Sequence, residues 1–241
     1  MEKSKICDLH SHILPGMDDG CKTVEESLQV LQESFRQGIS AMFATPHYYP
    51  VESVDDFLAR RDAAWQQLAA ALQQMDGQIP KLCLGAEVAY RPGLCYDENL
   101  NGLCLGKSRY LLLELPFSRW NREMLRDIRN LYSVKGIIPV LAHIERYLPY
   151  QSADMVRQVL ELGVLTQMNA GSLLRFGKRR KSSKLVKNGA VQLLGSDCHN
   201  ATSRPQNMQA AMAYLERRSL HRQLSCAAQK SMDIFREAAE Q

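Results

Sequence analysis

ICDLHSH, residues Ile6 to His12, is a short apolar run that closes on two histidines one residue apart. Alternation along a strand sends residues i and i+2 to the same side. Read as a strand, the run makes His10 and His12 neighbours on one face, with Asp8 behind them. Two imidazole nitrogens side by side can grip one metal ion. Taken alone, such a pair is more often two surface histidines at a strand end, so the rest of the chain decides.

Outward from this stretch the chain alternates. Ile6–His10 opens a series of apolar runs that continues at Ala41–Thr45, Leu82–Val88, Tyr110–Glu114, Ile137–His143, Val164–Met168 and Val191–Gly195. Most are almost wholly apolar, the pattern of parallel strands buried on both faces. Helical segments are expected between them. Thr23-Val24-Glu25-Glu26 is a capping box, followed by Val24, Leu28, Leu31 and Phe35 at helical spacing, with Gly38 placed to end the helix. Ser53 caps a second helix towards Leu72, and Asn121–Val134 and Ser152–Leu162 read as two more. Strand then helix, seven times over, predicts an α/β fold. Unit length and total length fit a β/α barrel, with a doubly wound open sheet as the competing architecture. No Pro/Gly-rich linker divides the chain, so residues 1–241 read as a single domain. The tail from about Pro205 to Gln241 reads as helical and is expected to pack outside the barrel.

The 241 residues are 45% apolar and 23% charged, ordinary for a globular protein, and the net charge is +4. Seven cysteines form no C-x-x-C pair, the polar start MEKSK carries no signal-peptide pattern, and no apolar run has the length of a membrane span. These features predict a reduced, cytoplasmic protein.

In a β/α barrel the chemistry sits at the C-terminal ends of the strands. There the sequence places His10 and His12, then Asp18 and Asp19; His47 after Thr45-Pro46; Glu87; Glu114; His143; Asn169; and Asp197 and His199 around Cys198. Five of the six histidines fall at these ends. Any one of them alone reads better as structural. Scattered structural residues, however, have no reason to share one end of seven strands. The joint placement predicts a His/Asp/Glu metal centre. Mixed imidazole and carboxylate ligands suit manganese, iron or zinc. The donors are too many for one ion, so two or three divalent ions are expected, an arrangement suited to phosphoryl transfer. The residues alone do not choose between Asp18 and Asp19.

The set DLHSH, MDDG, TPHYYP, GAEV, LLLELPF, AHIERY and GSDCHN with a following arginine resembles the PHP (polymerase and histidinol phosphatase) superfamily. Within it the chain is similar to the bacterial protein-tyrosine phosphatases of the CpsB/CapC type, which serve capsule and exopolysaccharide synthesis. The resemblance runs from about Ile6 to Arg204 and implies a distorted TIM-like (β/α)7 barrel. It implies one ion held by His10, His12, Glu87 and Asp197, and a second that Glu87 bridges to, completed by Glu114 and His143. A third would be held by Asp19, His47 and His199. It favours Asp19 over Asp18, makes Arg146 and Arg204 the catalytic arginines, and points to manganese. The implied substrate is a phosphotyrosine protein, the tyrosine-rich tail of a cognate bacterial tyrosine kinase, and a homo-oligomer is left open. Glu114 stands where other PHP branches tend to carry histidine. Cys21 departs from a common proline.

The chemistry of arginine agrees. A phosphate monoester carries about two negative charges at neutral pH. Arginine meets phosphate with a rigid, permanently charged fork. The bland reading of Arg146 is a surface ion pair with Glu145. Cys198 and Arg204 also make C-x5-R, the spacing of cysteine-dependent tyrosine phosphatases. The five intervening residues hold no glycine to shape a phosphate-cradling loop, so this match reads as coincidence. A basic run, Arg175, Lys178, Arg179, Arg180, Lys181, Lys184 and Lys187, reads first as a solvated face. It could also steer an acidic protein tail. Phe176 is the only aromatic residue among these charges, which argues against a nucleic-acid stacking surface. The sequence thus predicts a metal-dependent phosphatase acting on protein phosphotyrosine. A small-molecule phosphatase of the histidinol-phosphate kind or a phosphodiesterase is the rival, and a non-catalytic phosphotyrosine-binding module a more distant one.

Overall fold

A computed structural model of the chain describes residues 6–240. The polar start at residues 1–5, and Gln241, lie outside the described residues. In chain order the elements are β1 (Ile6–Asp8), α1 (Val24–Arg36), β2 (Ile39–Ala44), β3 (His47–Tyr48), α2 (Val54–Gln73), β4 (Lys81–Leu84), β5 (Glu87–Ala89), β6 (Tyr110–Glu114), α3 (Arg122–Lys135) and β7 (Ile138–Leu141). There follow α4 (Ala153–Leu160), β8 (Leu165–Asn169), α5 (Arg179–Lys187), β9 (Leu193–Gly195), α6 (Met208–Arg217) and α7 (His221–Ala239).

The helices begin where their capping residues stand. Thr23, Ser53, Asn121 and Ser152 each accept a hydrogen bond from the backbone N–H three residues on, satisfying a donor that the first turn leaves open. The Glu26 carboxylate reaches back past Thr23 and accepts from the Lys22 N–H at 2.7 Å. Gly38 ends the α1 region at φ 86°, a left-handed conformation that only glycine adopts without strain. Phe35, expected on the buried face of α1, is exposed, and Val30 fills the core beside Leu31.

All strand pairs are parallel. The third expected strand breaks in two, and the second is followed by a short extra strand, β3, which gives a three-stranded sheet, β1-β2-β4, and a six-stranded one, β3-β5-β6-β7-β8-β9. Pro46 separates β2 from β3 because it has no N–H for the ladder. Gly85 breaks the third, where an added Cβ would lie 2.8 Å from Leu105 Cδ2. Backbone bonds from Gly85 N to Ala44 O (2.9 Å) and Glu87 N to Pro46 O (3.0 Å) carry the ladder across both breaks. The sheet curls until its ends meet. Ser11 bridges Cys198, and His12 N donates to Cys198 O at 2.8 Å. An open doubly wound sheet would keep these edges apart.

Two expectations are corrected. The strand–helix alternation is not unbroken: residues 90–109, between β5 and β6, form only the short 3-10 turns Leu94–Tyr96 and Leu100–Leu103. Pro92, Gly93 and Gly102 punctuate that stretch and disfavour a longer helix. The C-terminal tail packs outside only in its first half: Met208, Ala211 and Leu215 of α6 are buried with the residues of the outer helices. Ile234, Phe235 and Ala238 of α7 are buried with Cys7, Leu9, Phe43, Leu112 and Val140, the apolar lining of the curl, at the end away from the polar cluster. The Phe235 ring meets Phe43 edge-on at 5.3 Å. A buried phenylalanine truncated to alanine typically costs about 3–5 kcal/mol. Phe235→Ala should therefore lower the urea midpoint sharply in a denaturation curve. A midpoint shift no larger than that of a surface substitution would show that α7 is not part of the core.

Candidate metal centre

Nine side chains converge where the strands end. His10 and His12 follow β1, Asp19 lies on the loop to α1, His47 opens β3 and Glu87 opens β5. Glu114 closes β6, His143 follows β7, and Asp197 and His199 follow β9. His143 and Asp197 hold left-handed backbone, at φ 32° and 54°. Such strain in non-glycine residues persists where the surroundings enforce it. Here the His143 N–H donates to Gln167 Oε1 at 2.8 Å, and Arg204 grips the Asp197 carboxylate.

Glu87 is the hub. Its Oε2 lies 3.0 Å from His10 Nε2, 3.2 Å from His12 Nε2 and 3.2 Å from His47 Nδ1. Its Oε1 lies 2.9 Å from His143 Nε2, which is also 3.3 Å from Glu114 Oε1. Two oxygens thus face two groups of ligands. Asp197 Oδ1 completes one side at 3.4 Å from His12 Nε2 and 3.6 Å from His10 Nε2. Asp19 Oδ1 lies 3.1 Å from His199 Nε2 and 3.6 Å from His47 Nε2. Donor atoms gather within 4.8 Å in three sets: His12, Asp19, His47 and His199; His10, His12 and Asp197; and His47, Glu87 and Glu114. The grouping differs slightly from that implied by resemblance. His12 stands in two sets, and His47 reaches towards Glu114 as well as Asp19.

A second layer aims the imidazoles, and sequence reading missed most of it. The His12 Nδ1–H donates to Asp18 Oδ2 at 2.7 Å, His10 Nδ1 meets Gln167 Oε1 at 3.3 Å, and His199 Nδ1 meets the Asp197 carbonyl at 3.0 Å. Each leaves Nε2 for the cluster, the usual way an outer partner fixes a ligand's tautomer. This separates the paired aspartates: Asp18 lies behind His12 and also accepts from the Gly20 and His47 N–H groups. Asp19 alone faces the donors. The readable signal for Gln167 was a long amide in an otherwise buried strand. Gly20 and Gly195 permit the crowding, since an added Cβ would lie 2.2 Å from His12 O and 2.7 Å from His10 Cβ.

The donors fit cations. Four carboxylates and five imidazoles share a largely buried site, and unpaired buried charge is costly. His47 Nδ1, His143 Nδ1 and His199 Nε2 are buried and hold no hydrogen bond. His10 Nε2 and His12 Nε2 face each other at 3.1 Å. Burial opposes protonation of His143, yet Glu114 and Glu87 outweigh it and push its pKa up to about 9. Burial would raise Glu87, but the neighbouring His10 charge and the hydrogen bonds from His10, His12 and His143 hold it well below the usual carboxylate range. His143 thus retains a proton where a metal ion would compete for its nitrogen, whereas burial pushes the pKa of His199 down to about 4.

The cluster floors a cavity of about 840 Å³ whose walls carry Arg146, Arg204, Arg175, Lys178, Tyr49 and Phe117. Arg204 Nη2 meets both Asp197 oxygens at 3.0 Å and its Nη1 meets Asp19 at 3.3 Å. Arg146 makes no ion pair among the described residues; its guanidinium lies 4.4 Å over the Phe117 ring. The surface pair with Glu145 is absent. Glu145 instead turns towards the Asn169 N–H at 3.4 Å, and burial pushes its pKa up to about 7. Cys198 is fully buried, and burial raises its thiol pKa well above the ordinary value, a poor setting for a thiolate nucleophile. All seven cysteines are free, and no described helix is long and apolar enough to cross a membrane.

The family model for capsular polysaccharide synthesis, CpsB/CapC, matches residues 6–233. The chain is 33% identical over 221 residues to the tyrosine-protein phosphatase YwqE of Bacillus subtilis, covering 88% of this chain and 84% of that protein. It is 33% identical over 223 residues to the tyrosine-protein phosphatase CpsB of Streptococcus pneumoniae, covering 86% and 88%. A crystal structure from work on these two proteins, described as unique metal-dependent tyrosine phosphatases, matches with a TM-score of 0.81. Its identity is 27%, over 96% of this chain and 95% of that one.

Proposed function

The chain belongs to the CpsB/CapC family, and from that premise we propose that it is a metal-dependent phosphatase that hydrolyses phosphotyrosine on a protein. One observation carries the reading. Glu87 presents its two oxygens to two sides of a His/Asp/Glu cluster at the floor of a cavity walled by arginines and aromatic rings.

His10, His12, Glu87 and Asp197 would hold one ion; Glu87, Glu114 and His143 a second; and Asp19, His47 and His199 a third. Manganese leads iron and zinc. When bound, such ions activate water for attack and offset charge on the transferring group. The chain's own part is positioning. Arg146 reaches the cavity from the exposed side, free of carboxylates, and can close a fork on phosphoryl oxygens. Arg204 would do the same while holding Asp197. Tyr49 and Phe117 stack on His47 and His143 at 5.2 and 5.7 Å and offer faces to an aryl group. A phenol, with a pKa near about 10, leaves more readily than an alkyl alcohol.

The proposal extends to a single distorted (β/α)7 barrel domain over residues 1–241, acting in the cytoplasm on the tyrosine-rich tail of a cognate bacterial tyrosine kinase, with no nucleic-acid partner. The test is a metal-reconstituted assay of a phosphotyrosine peptide beside histidinol phosphate and a phosphodiester. The peptide should be hydrolysed best. Preference for histidinol phosphate or for the diester would replace the reading with that activity.

A further inference from the structure

A second cleft, of about 480 Å³, lies between α5 and the corner joining α6 to α7, lined by Arg180, Lys184, Lys187, Arg217 and Arg218 with Ser183, Ser219 and Leu220. No acidic residue lines it. Among the described residues none of the five cations forms an ion pair, although Arg218 lies 5.8 Å over the Tyr214 ring. Arg180, Lys184 and Lys187 recur at i, i+4 and i+7, one face of α5. Arg217 and Arg218 come from a distant part of the chain, so the fold gathers what the sequence shows only as a basic run. Residues 178–181, Lys-Arg-Arg-Lys, stand at the start of α5, where the helix dipole disfavours cations. A local rule broken this way marks a functional surface more often than a random one.

We propose that this cleft is a second anion-binding site that takes acidic or phosphorylated side chains of the same polypeptide whose phosphotyrosine enters the metal cavity. The proposal rests on the phosphatase reading above. Continuity between the two sites favours a peptide over a membrane. Arg175 and Lys178 line the metal cavity, Arg180, two residues further on, lines the second cleft, and the exposed Lys181 keeps the surface at the start of α5 basic between them. From Lys178 to Lys184 and Lys187 the helix advances about 9–14 Å at its regular rise. An extended peptide covers that span in about three or four residues. The concave shape also suits inserted side chains better than a flat lipid surface.

The test uses Lys184→Ala, Lys187→Ala and Arg217→Ala combined, three exposed positions away from the metal cluster. Three substrates are compared with the manganese-loaded enzyme: a phosphotyrosine peptide with glutamates three and four residues away on both sides, the same peptide with serines there, and p-nitrophenyl phosphate. The wild type should favour the acidic peptide about tenfold in kcat/KM at low salt, mainly through KM, the modest end of electrostatic enhancement. High salt should erase the preference. The triple variant should treat the peptides alike and hydrolyse p-nitrophenyl phosphate normally. Equal use of the two peptides by the wild type, or a preference that survives in the variant, overturns the proposal. Sedimentation with phosphatidylserine vesicles without a peptide preference assigns the surface to a membrane and also overturns it. If the wild type hydrolyses none of the three, the phosphatase reading has failed. Calorimetric titration with an unphosphorylated glutamate-rich peptide then still reads the cleft: binding lost in the variant upholds the site, and no binding by the wild type refutes it.

Discussion

Glu87→Ala is expected to lose bound metal and about a thousandfold in kcat/KM together. The carboxylate is buried, with its two oxygens against different nitrogens: Oε2 near His10, His12 and His47, Oε1 near His143. Neither neighbour stands in for both oxygens: Glu114 meets His143 and reaches towards His47 but pairs with neither His10 nor His12, and Asp197 meets His10, His12 and His199 but does not pair with His143 among the described residues. Each catalytic ion contributes several kcal/mol of charge stabilisation. A loss of about 4 kcal/mol corresponds to about three powers of ten in rate. Glu87→Gln keeps the shape and removes the charge, so it should also lose metal while folding normally. Elemental analysis, kinetics and a thermal melt on the same samples settle the matter. Unchanged metal stoichiometry in both variants would remove Glu87 from the centre, whatever happens to the rate.

The strands were legible because burial on both faces writes itself as uninterrupted apolar residues, and residues 110–114 were read to the residue. Helix starts were legible through Thr23, Ser53, Asn121 and Ser152, since a cap is a local interaction. Two things were not. An amphipathic pattern shows that α7 has an apolar face but not which surface receives it, so the helix closing the bottom of the curl was expected outside it. The grouping of donors was hidden as well. Sequence order places His12 and His47 at strand ends, but only side-chain direction reveals that each reaches two donor sets. Asp18 and Asp19 are adjacent and chemically identical. What separates them is the turn tightened by Gly20, which aims one at the back of His12 and the other at the cluster. The Cys198–Arg204 spacing suggested a thiolate enzyme only as a pattern; complete burial of the thiol removes its physical basis.

Arg146→Ala is expected to keep its metal and lose about a hundredfold in kcat/KM. The guanidinium touches no candidate ligand and has no lone pair to offer a metal. It rests on Phe117 at the cavity wall and makes no ion pair among the described residues. Removing one preorganised donor to a developing charge costs about 3 kcal/mol. Arg146→Lys should recover only part of this, because a point charge replaces a planar fork and stacks less well on the ring. Arg204 gives the informative contrast. It holds Asp197 and Asp19 as well as facing the cavity, so Arg204→Ala should show a similar rate loss together with weaker metal retention. If instead each arginine is a surface residue, exposed charge is worth under about 1 kcal/mol and the rate should change less than about fivefold. Steady-state kinetics on a phosphotyrosine peptide, with metal content measured alongside, separates these outcomes. A metal-replete Arg146→Ala enzyme with near-normal kcat/KM would rule out a phosphoryl clamp at that position.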